Sequence, residues 1–277
     1  MRSVATAAND VFAANRARAS ITLGVGARGN VTRCVSLHEA GGLRARFPNC
    51  DVGEFEAVIL NTAGGIAGGD QLTVAIAVDD GGRLTVTTAA AEKAYRSIGP
   101  PATIDVRLTI GAGGLLRWLP QELILFNRAR IRRSIDIDLA EDATLVLAES
   151  VLFGRSAMGE TIAVGAFFDR WRVRRGGRLV YAETVRLEGL IAEKLARPAV
   201  ADGGQAIATV LLIPSDDSAV AAARALSEDF RGEVGLSSWN GITVVRICAK
   251  EGSHLRHDLV SILARCGRGP LPRLWLN

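Results

Sequence analysis

Alternation with a period of two constrains this chain more than any other feature. Leu72, Val74, Ile76 and Val78 alternate with Thr73, Ala75 and Ala77, and Leu84 and Val86 alternate with Thr85 and Thr87. Asp79-Asp80-Gly81-Gly82 lies between the two runs and predicts a hairpin. Ile104, Val106, Leu108 and Ile110 repeat the pattern against Thr103, Asp105, Arg107 and Thr109, and stop at Gly111-Ala112-Gly113-Gly114. Ile135, Ile137 and Leu139 alternate with Asp136, Asp138 and Ala140; Trp171 and Val173 alternate with Arg170, Arg172 and Arg174 up to Arg175-Gly176-Gly177. Successive side chains on a strand point to opposite faces, so each run offers one face to a core and one to water. Many short strands joined by Gly-rich turns predict a mainly β fold in a layered, β-helix- or sandwich-like arrangement.

Helical periodicity is rare. The Ala-rich stretch from Ser218 to Asp229 follows the cap-like Ser215-Asp216-Asp217 and predicts one helix. A second runs from about His254 to Cys266, where Leu255, Leu259, Ile262, Leu263 and Cys266 share a face. About two α-helices are therefore expected, with further strands over Thr209 to Ile213 and Ile242 to Ala249. No internal repeat or interdomain linker interrupts the chain. Residues 1–20 read as a loose tail and 21–277 as one domain.

With 277 residues, 48% of them hydrophobic and 22% charged, the chain can bury a core without disulfide or metal staples. No run reaches the roughly 18 apolar residues of a membrane span. Cys34, Cys50, Cys248 and Cys266 have no metal-binding or redox spacing, and Met1 to Asn15 does not read as a secretory leader. Reduced thiols in a cytoplasmic protein are expected. Lys+Arg 33 against Asp+Glu 29 leaves a net charge of only +4, and no basic run is interleaved with aromatic residues. That argues against a single-stranded nucleic-acid platform.

The candidate chemistry has a structural reading beside each functional one. The glycines Gly64, Gly65, Gly68 and Gly69 lead into Asp70 and Gln71, not into the Lys and Ser/Thr of a phosphate loop, and a strand follows where a dinucleotide site needs a helix. A chain reversal that needs glycine is expected there. Ser156 in Gly154-Arg155-Ser156-Ala157-Met158-Gly159 has the wrong spacing for a nucleophile elbow. His254 and His257 lie near Asp258 on one helical face, weak candidates for a metal site that would need more converging ligands. Glu122, Glu149 and Glu160 suit either acid–base work or ion pairs with basic strands around Arg130 and Arg172. The alternating Arg128, Arg130 and Arg132, and Arg170, Arg172 and Arg174, suit either a solvated sheet face or a docking face for an acidic partner. A mean hydropathy of +0.21 favours interaction over catalysis.

Five segments together resemble the urease accessory protein UreD (UreH) family. The first is Leu60-Asn61-Thr62-Ala63-Gly64-Gly65-Ile66-Ala67-Gly68-Gly69-Asp70-Gln71-Leu72, and the second runs from Thr87 to Ser97 through Glu92-Lys93-Ala94-Tyr95-Arg96. Arg117-Trp118-Leu119-Pro120-Gln121-Glu122 with Phe126 is the third, Ala148-Glu149-Ser150 through Glu160 the fourth, and Pro272-Arg273-Leu274-Trp275 the last. The family usually carries Asn-Pro-Pro where this chain has Asn61-Thr62-Ala63, which leaves the start of the turn less rigid.

The resemblance implies a chaperone for nickel insertion into urease apoprotein, not an enzyme. It implies partnership with UreF and, through it, the GTPase UreG, and admits a homodimer within that complex. Neither nucleic acid nor membrane is an expected partner. No tightly bound cofactor is implied, only transient nickel along an internal polar path. The matching polar positions are Asp70, Glu92, Lys93, Arg96, Gln121, Glu122, Glu149, Arg155 and Glu160. Oxygen ligands would bind Ni²⁺ weakly enough to release it, which suits a conduit. A hydrolase using Glu or Ser, or an Arg-rich nucleic-acid binder, is the alternative, and neither accounts for the five segments.

Overall fold

The computed structural model describes residues 16–29, 31–49, 55–155 and 158–276. In chain order its strands are β1 (Arg18–Arg28), β2 (Val31–Ala40), β3 (Leu43–Arg46), β4 (Glu56–Asn61), β5 (Gln71–Val78), β6 (Arg83–Thr88), β7 (Glu92–Ala94), β8 (Ala102–Ile110) and β9 (Leu115–Leu119). There follow β10 (Leu123–Leu125), β11 (Arg130–Leu139), β12 (Thr144–Arg155), β13 (Glu160–Thr161), β14 (Val164–Arg175), β15 (Arg178–Leu190), β16 (Ala206–Ile213), β17 (Glu233–Trp239) and β18 (Ile242–Ala249). The helices are α1 (Ile191–Leu195), α2 (Asp217–Arg224) and α3 (Gly252–Cys266). Arg18–Ser20, within the segment expected to be a tail, open β1, and residues 1–15 lie outside the described residues.

The fold is mainly β and built as a solenoid. The first sheet has the order β15-β14-β11-β8-β5-β1-β2, and the second contains β17-β18-β16-β12-β9-β6-β4-β3. From β4 to β14 the chain passes back and forth between them, and β1, β5, β8, β11 and β14 stack in parallel in one sheet. Strands β4, β6, β9 and β12 do the same in the other. Asp79–Gly82 therefore does not close the expected hairpin. It carries the chain from β5 in the first sheet to β6 in the second. Its neighbours stack on it: Gly81 N–H donates to Ala112 O and Ala112 N–H to Asp80 Oδ1, both at 2.8 Å. A glycine-rich turn serves a crossing as well as a hairpin, because alternation reveals a strand but not its partner.

Strand pairing aligns inward-facing residues into ladders. Leu23, Ile76, Leu108, Ile137 and Val173 are in register across the first sheet. Val86, Trp118, Leu147, Leu211 and Val244 are in register across the second. All of them sit in one apolar cluster between the sheets. A fully buried side chain of this size contributes about 1.5–3 kcal/mol. A second cluster covers the outer side of the second sheet, where Leu255, Leu259, Ile262, Leu263 and Cys266 of α3 meet Val146, Ala148, Val210 and Val245. Strand β12 is covered on both sides and has lost the alternation of an exposed strand.

Helix α2 begins where Asp216 accepts the N–H groups of Ser218 and Ala219, as capping requires. Cys34, Cys248 and Cys266 are free thiols, and Cys50 lies outside the described residues. Among the described residues, no helix is long and apolar enough to cross a membrane.

Candidate functional site

Four of the five sequence segments meet at one corner of the solenoid. Ile66 bridges Ala94, β7 pairs with β10, and β10 pairs with the second half of β12, all in parallel. The backbone ties are short: Ile66 N–H to Lys93 O at 2.7 Å, Tyr95 N–H to Ile66 O at 2.8 Å, and Glu92 N–H to Glu122 O at 2.8 Å. The segments are thus successive rungs of a single ladder.

The glycines let these rungs approach. Gly65 has φ +149°, and a Cβ there would lie 2.5 Å from the Tyr95 ring and 2.8 Å from Lys93 O. A Cβ on Gly68 would fall 1.9 Å from Ser97 Oγ. Gly64 and Gly69 also have positive φ, at +76° and +88°. Thr62 and Ala63, which stand where the resemblance leads one to expect two prolines, make hydrogen bonds that prolines could not make. Thr62 N–H donates to Gly42 O at 2.8 Å and Ala63 N–H to Asn61 Oδ1 at 3.0 Å. Asp70, which is buried, closes the turn by accepting from Ala17 and Ala67 N–H, each at 2.8 Å.

The fifth segment is pinned onto the same rungs. Arg256 of α3 donates to Gln121 at 2.9 Å, Glu122 at 2.8 Å and Trp275 O at 3.0 Å, and its guanidinium lies over the Trp275 ring. Trp275 Nε1–H reaches Leu119 O at 3.0 Å, and Arg117 holds Gly269 O and Pro270 O. Gln121 and Glu122 thus fasten the C-terminal segment.

The remaining singled-out residues divide. Arg155 donates to Glu160 at 2.5 Å and lies over Phe126, while Asn61 donates to Glu92 at 3.1 Å. Burial pushes the Glu92 carboxyl above its ordinary value, against the pull of Asn61. Lys93 and Arg96 are exposed. His254 stands 3.9 Å from Glu251, and both His254 and His257 are half-buried. Their neighbour Asp258 is not part of a solvated face: it is wholly buried and accepts from Arg231 and Gly232 N–H at 2.9 and 2.8 Å. Ser156 lies outside the described residues. Among the described residues, no three His, Cys, Asp or Glu side chains converge as a metal set. The carboxylates expected to pair near Arg130 and Arg172 find other partners: Arg256 for Glu122, Arg133 for Glu149 and Arg155 for Glu160.

Glu149 has the most unusual setting. It projects from β12 between the sheets, where its carboxylate receives Trp118 Nε1–H at 2.7 Å and forms a close ion pair with Arg133. Arg133 also grips Asp169 with two bonds, at 2.9 and 2.6 Å, and Trp171 Nε1–H donates to Asp169 at 3.0 Å. Arg133, Glu149 and Asp169 are all buried. Burial pushes the Glu149 carboxyl up despite Arg133, and the two carboxylates hold Arg133 firmly charged. Beside them is a cavity of about 20 Å³, room for about one water. It shares Glu183 and Thr209 with a cleft of about 530 Å³ that also reaches Glu233, Arg246 and Cys248. Polar groups thus run from the middle of the core toward the surface.

Sequence reasoning found Glu149 but missed Arg133, Asp169 and Glu183. A signal was present. Arg133 stands at the inward position of Ile131, Arg133, Ile135, Ile137, and Asp169 at that of Phe167, Asp169, Trp171, Val173. A charged residue in the apolar half of an alternating strand marks a buried polar cluster.

The ladder of sequence segments is matched by a family model over nearly the whole chain. The UreD urease accessory protein model aligns with residues 17–276. The chain belongs to the UreD family. A UreD of Bradyrhizobium diazoefficiens is 54% identical over 100% of both chains. One from Rhodopseudomonas palustris strain BisA53 is 54% identical over 96% of this chain and 93% of its own. A UreD 3 of Bradyrhizobium sp. strain BTAi1 is 53% identical over 99% and 98%. As a UreD protein, the chain has an accessory role in urease maturation.

Proposed function

We propose that this UreD protein is a cytoplasmic nickel-insertion chaperone, not an enzyme. It acts on urease apoprotein in a complex with UreF and, through it, UreG. The observation that carries this reading is the family match over residues 17–276. The interior geometry supports a polar path for the ion: Glu149, Asp169 and Glu183 line a cavity that shares Glu183 and Thr209 with a larger cleft. Carboxylate oxygens bind Ni²⁺ without the retention of thiolate or imidazole clusters. Arg133 pairs with Glu149 and Asp169, so neither buried carboxylate is left without a counter-charge.

The path is tested by urease nickel content in cells carrying Glu149→Gln or Glu122→Gln. Glu149→Gln should lower loading while the complex still assembles. Glu122→Gln, which sits in the C-terminal fastening, should leave the loading per assembled complex unchanged. Full loading with Glu149→Gln removes that residue from the path.

A further inference from the structure

A trough crosses the outer face of the first sheet beside the corner of stacked segments. Its floor is Gly165 and Ala166 of β14, and Ala166 has Arg130 and Glu188 as register partners on either side. Two hollows of about 590 and 240 Å³ share Arg130, Ala166 and Glu188 and so form one depression. Four guanidiniums line it, those of Arg128, Arg130, Arg132 and Arg186, against the single carboxylate of Glu188.

Glu188 is already held by Arg186 at 2.9 Å. Among the described residues, Arg128, Arg130 and Arg132 have no carboxylate within 4.0 Å, whereas Arg170 on the same face is paired with Asp136 at 2.9 Å. Arg132 lies over the Phe168 ring at 5.2 Å, which holds its guanidinium on the surface. Exposed apolar side chains stand at the rim. Ile98 is 91% exposed, and Val164 and Leu190, register partners, are 40% and 52% exposed. The Ile98 loop is fixed: Ser97 N–H donates to Arg128 O at 2.9 Å and Ser97 Oγ–H to Pro100 O at 3.0 Å.

We infer that this trough docks an acidic segment with apolar anchors from a protein partner. The inference rests on the reading of the chain as one member of an assembly. Carboxylates on the segment pair with Arg128, Arg130 and Arg132, and its apolar side chains cover Ile98, Val164 and Leu190. Arginine is enriched at protein interfaces, and the exposed apolar side chains beside it supply surface that a partner can desolvate. A nucleic-acid backbone suits the trough less well. Glu188 would oppose its phosphates, and Phe168, the ring in the trough, is covered by Arg132 and offers no stacking platform.

The test measures binding of the full chain to purified UreF, to urease apoprotein and to a random DNA duplex. Wild type is compared with Arg130→Glu/Arg132→Glu, with Ile98→Asp, and with Arg174→Glu as a control on the same face outside the trough. Ile98, Arg130 and Arg132 are exposed and Arg174 is half-buried, and circular dichroism checks that each variant is folded. The double reversal should weaken binding to one of the two proteins about tenfold or more, with the loss shrinking as salt rises. Ile98→Asp should weaken the same contact, and Arg174→Glu should leave it unchanged. Variants that bind both proteins like wild type, or that lose only DNA binding, overturn the trough while the accessory reading stands if nickel loading by wild type is intact. A wild-type chain that binds neither protein and does not raise nickel loading overturns both.

Discussion

Arg256 of the last helix donates to Glu122 at 2.8 Å and joins two residues 134 positions apart in the chain. The same guanidinium holds Gln121 and the carbonyl of Trp275, so one side chain fastens the C-terminal segment to the stacked corner. Removing it strands a partly buried carboxylate and frees that segment. Arg256→Ala should lower stability by about 2 kcal/mol and speed hydrogen exchange over residues 269–276. A variant with the wild-type urea midpoint and unchanged exchange there contradicts the fastening.

Within the core, Arg133 neutralises Glu149 and Asp169 together. Arg133→Met would leave two buried carboxylates without their cation. A loss of about 3–5 kcal/mol is expected, as for other broken buried pairs. Chemical denaturation measures it, and a loss below about 1 kcal/mol would show that water already reaches the cluster.

The same cluster sets a pH dependence. Burial raises the Glu149 carboxyl above the ordinary 4.5, so the native state holds its proton more tightly than the unfolded chain does. The stability this provides is present below the ordinary value and is lost as pH rises through the raised one. Glu149→Gln has no proton to lose. Stability relative to wild type should therefore move in the variant's favour as pH climbs from 4.5 toward neutrality. Parallel stability curves over that window contradict the assignment.

At the corner, Gly65 and Gly64 differ in what surrounds them. Both have positive φ, but a Cβ on Gly65 meets the Tyr95 ring and Lys93 O, whereas one on Gly64 meets open space. Gly64→Ala should cost about 1 kcal/mol for its backbone conformation alone. Gly65→Ala should cost more, because the Lys93 carbonyl cannot move without disturbing β7. Equal thermal midpoints for the two variants would show that the rungs are looser than the geometry indicates.

Much of the fold was legible because alternation reports directly on which side of a strand is buried. Ile76, Leu108, Ile137 and Val173 could be assigned inward, and the apolar stripe of the last helix is buried as its spacing requires. Which strands pair is a long-range property, and Asp79–Gly82 shows the consequence: local turn chemistry cannot distinguish a hairpin from a crossing between sheets. The five segments could be read as a family pattern, yet nothing in their spacing showed that four are stacked rungs and the fifth is clamped onto them. Glu149 was found through its segment. Its partners Arg133 and Asp169 lie on other strands and show only as charges at inward positions.

Nickel per urease active site, with and without this chain, tests the accessory role most directly. Urease would be produced with its other accessory proteins, purified, and analysed for metal and activity, with the chain then restored. The account predicts nickel-poor, inactive urease in its absence and recovery of both on restoration. Equal nickel content in the two preparations would contradict it.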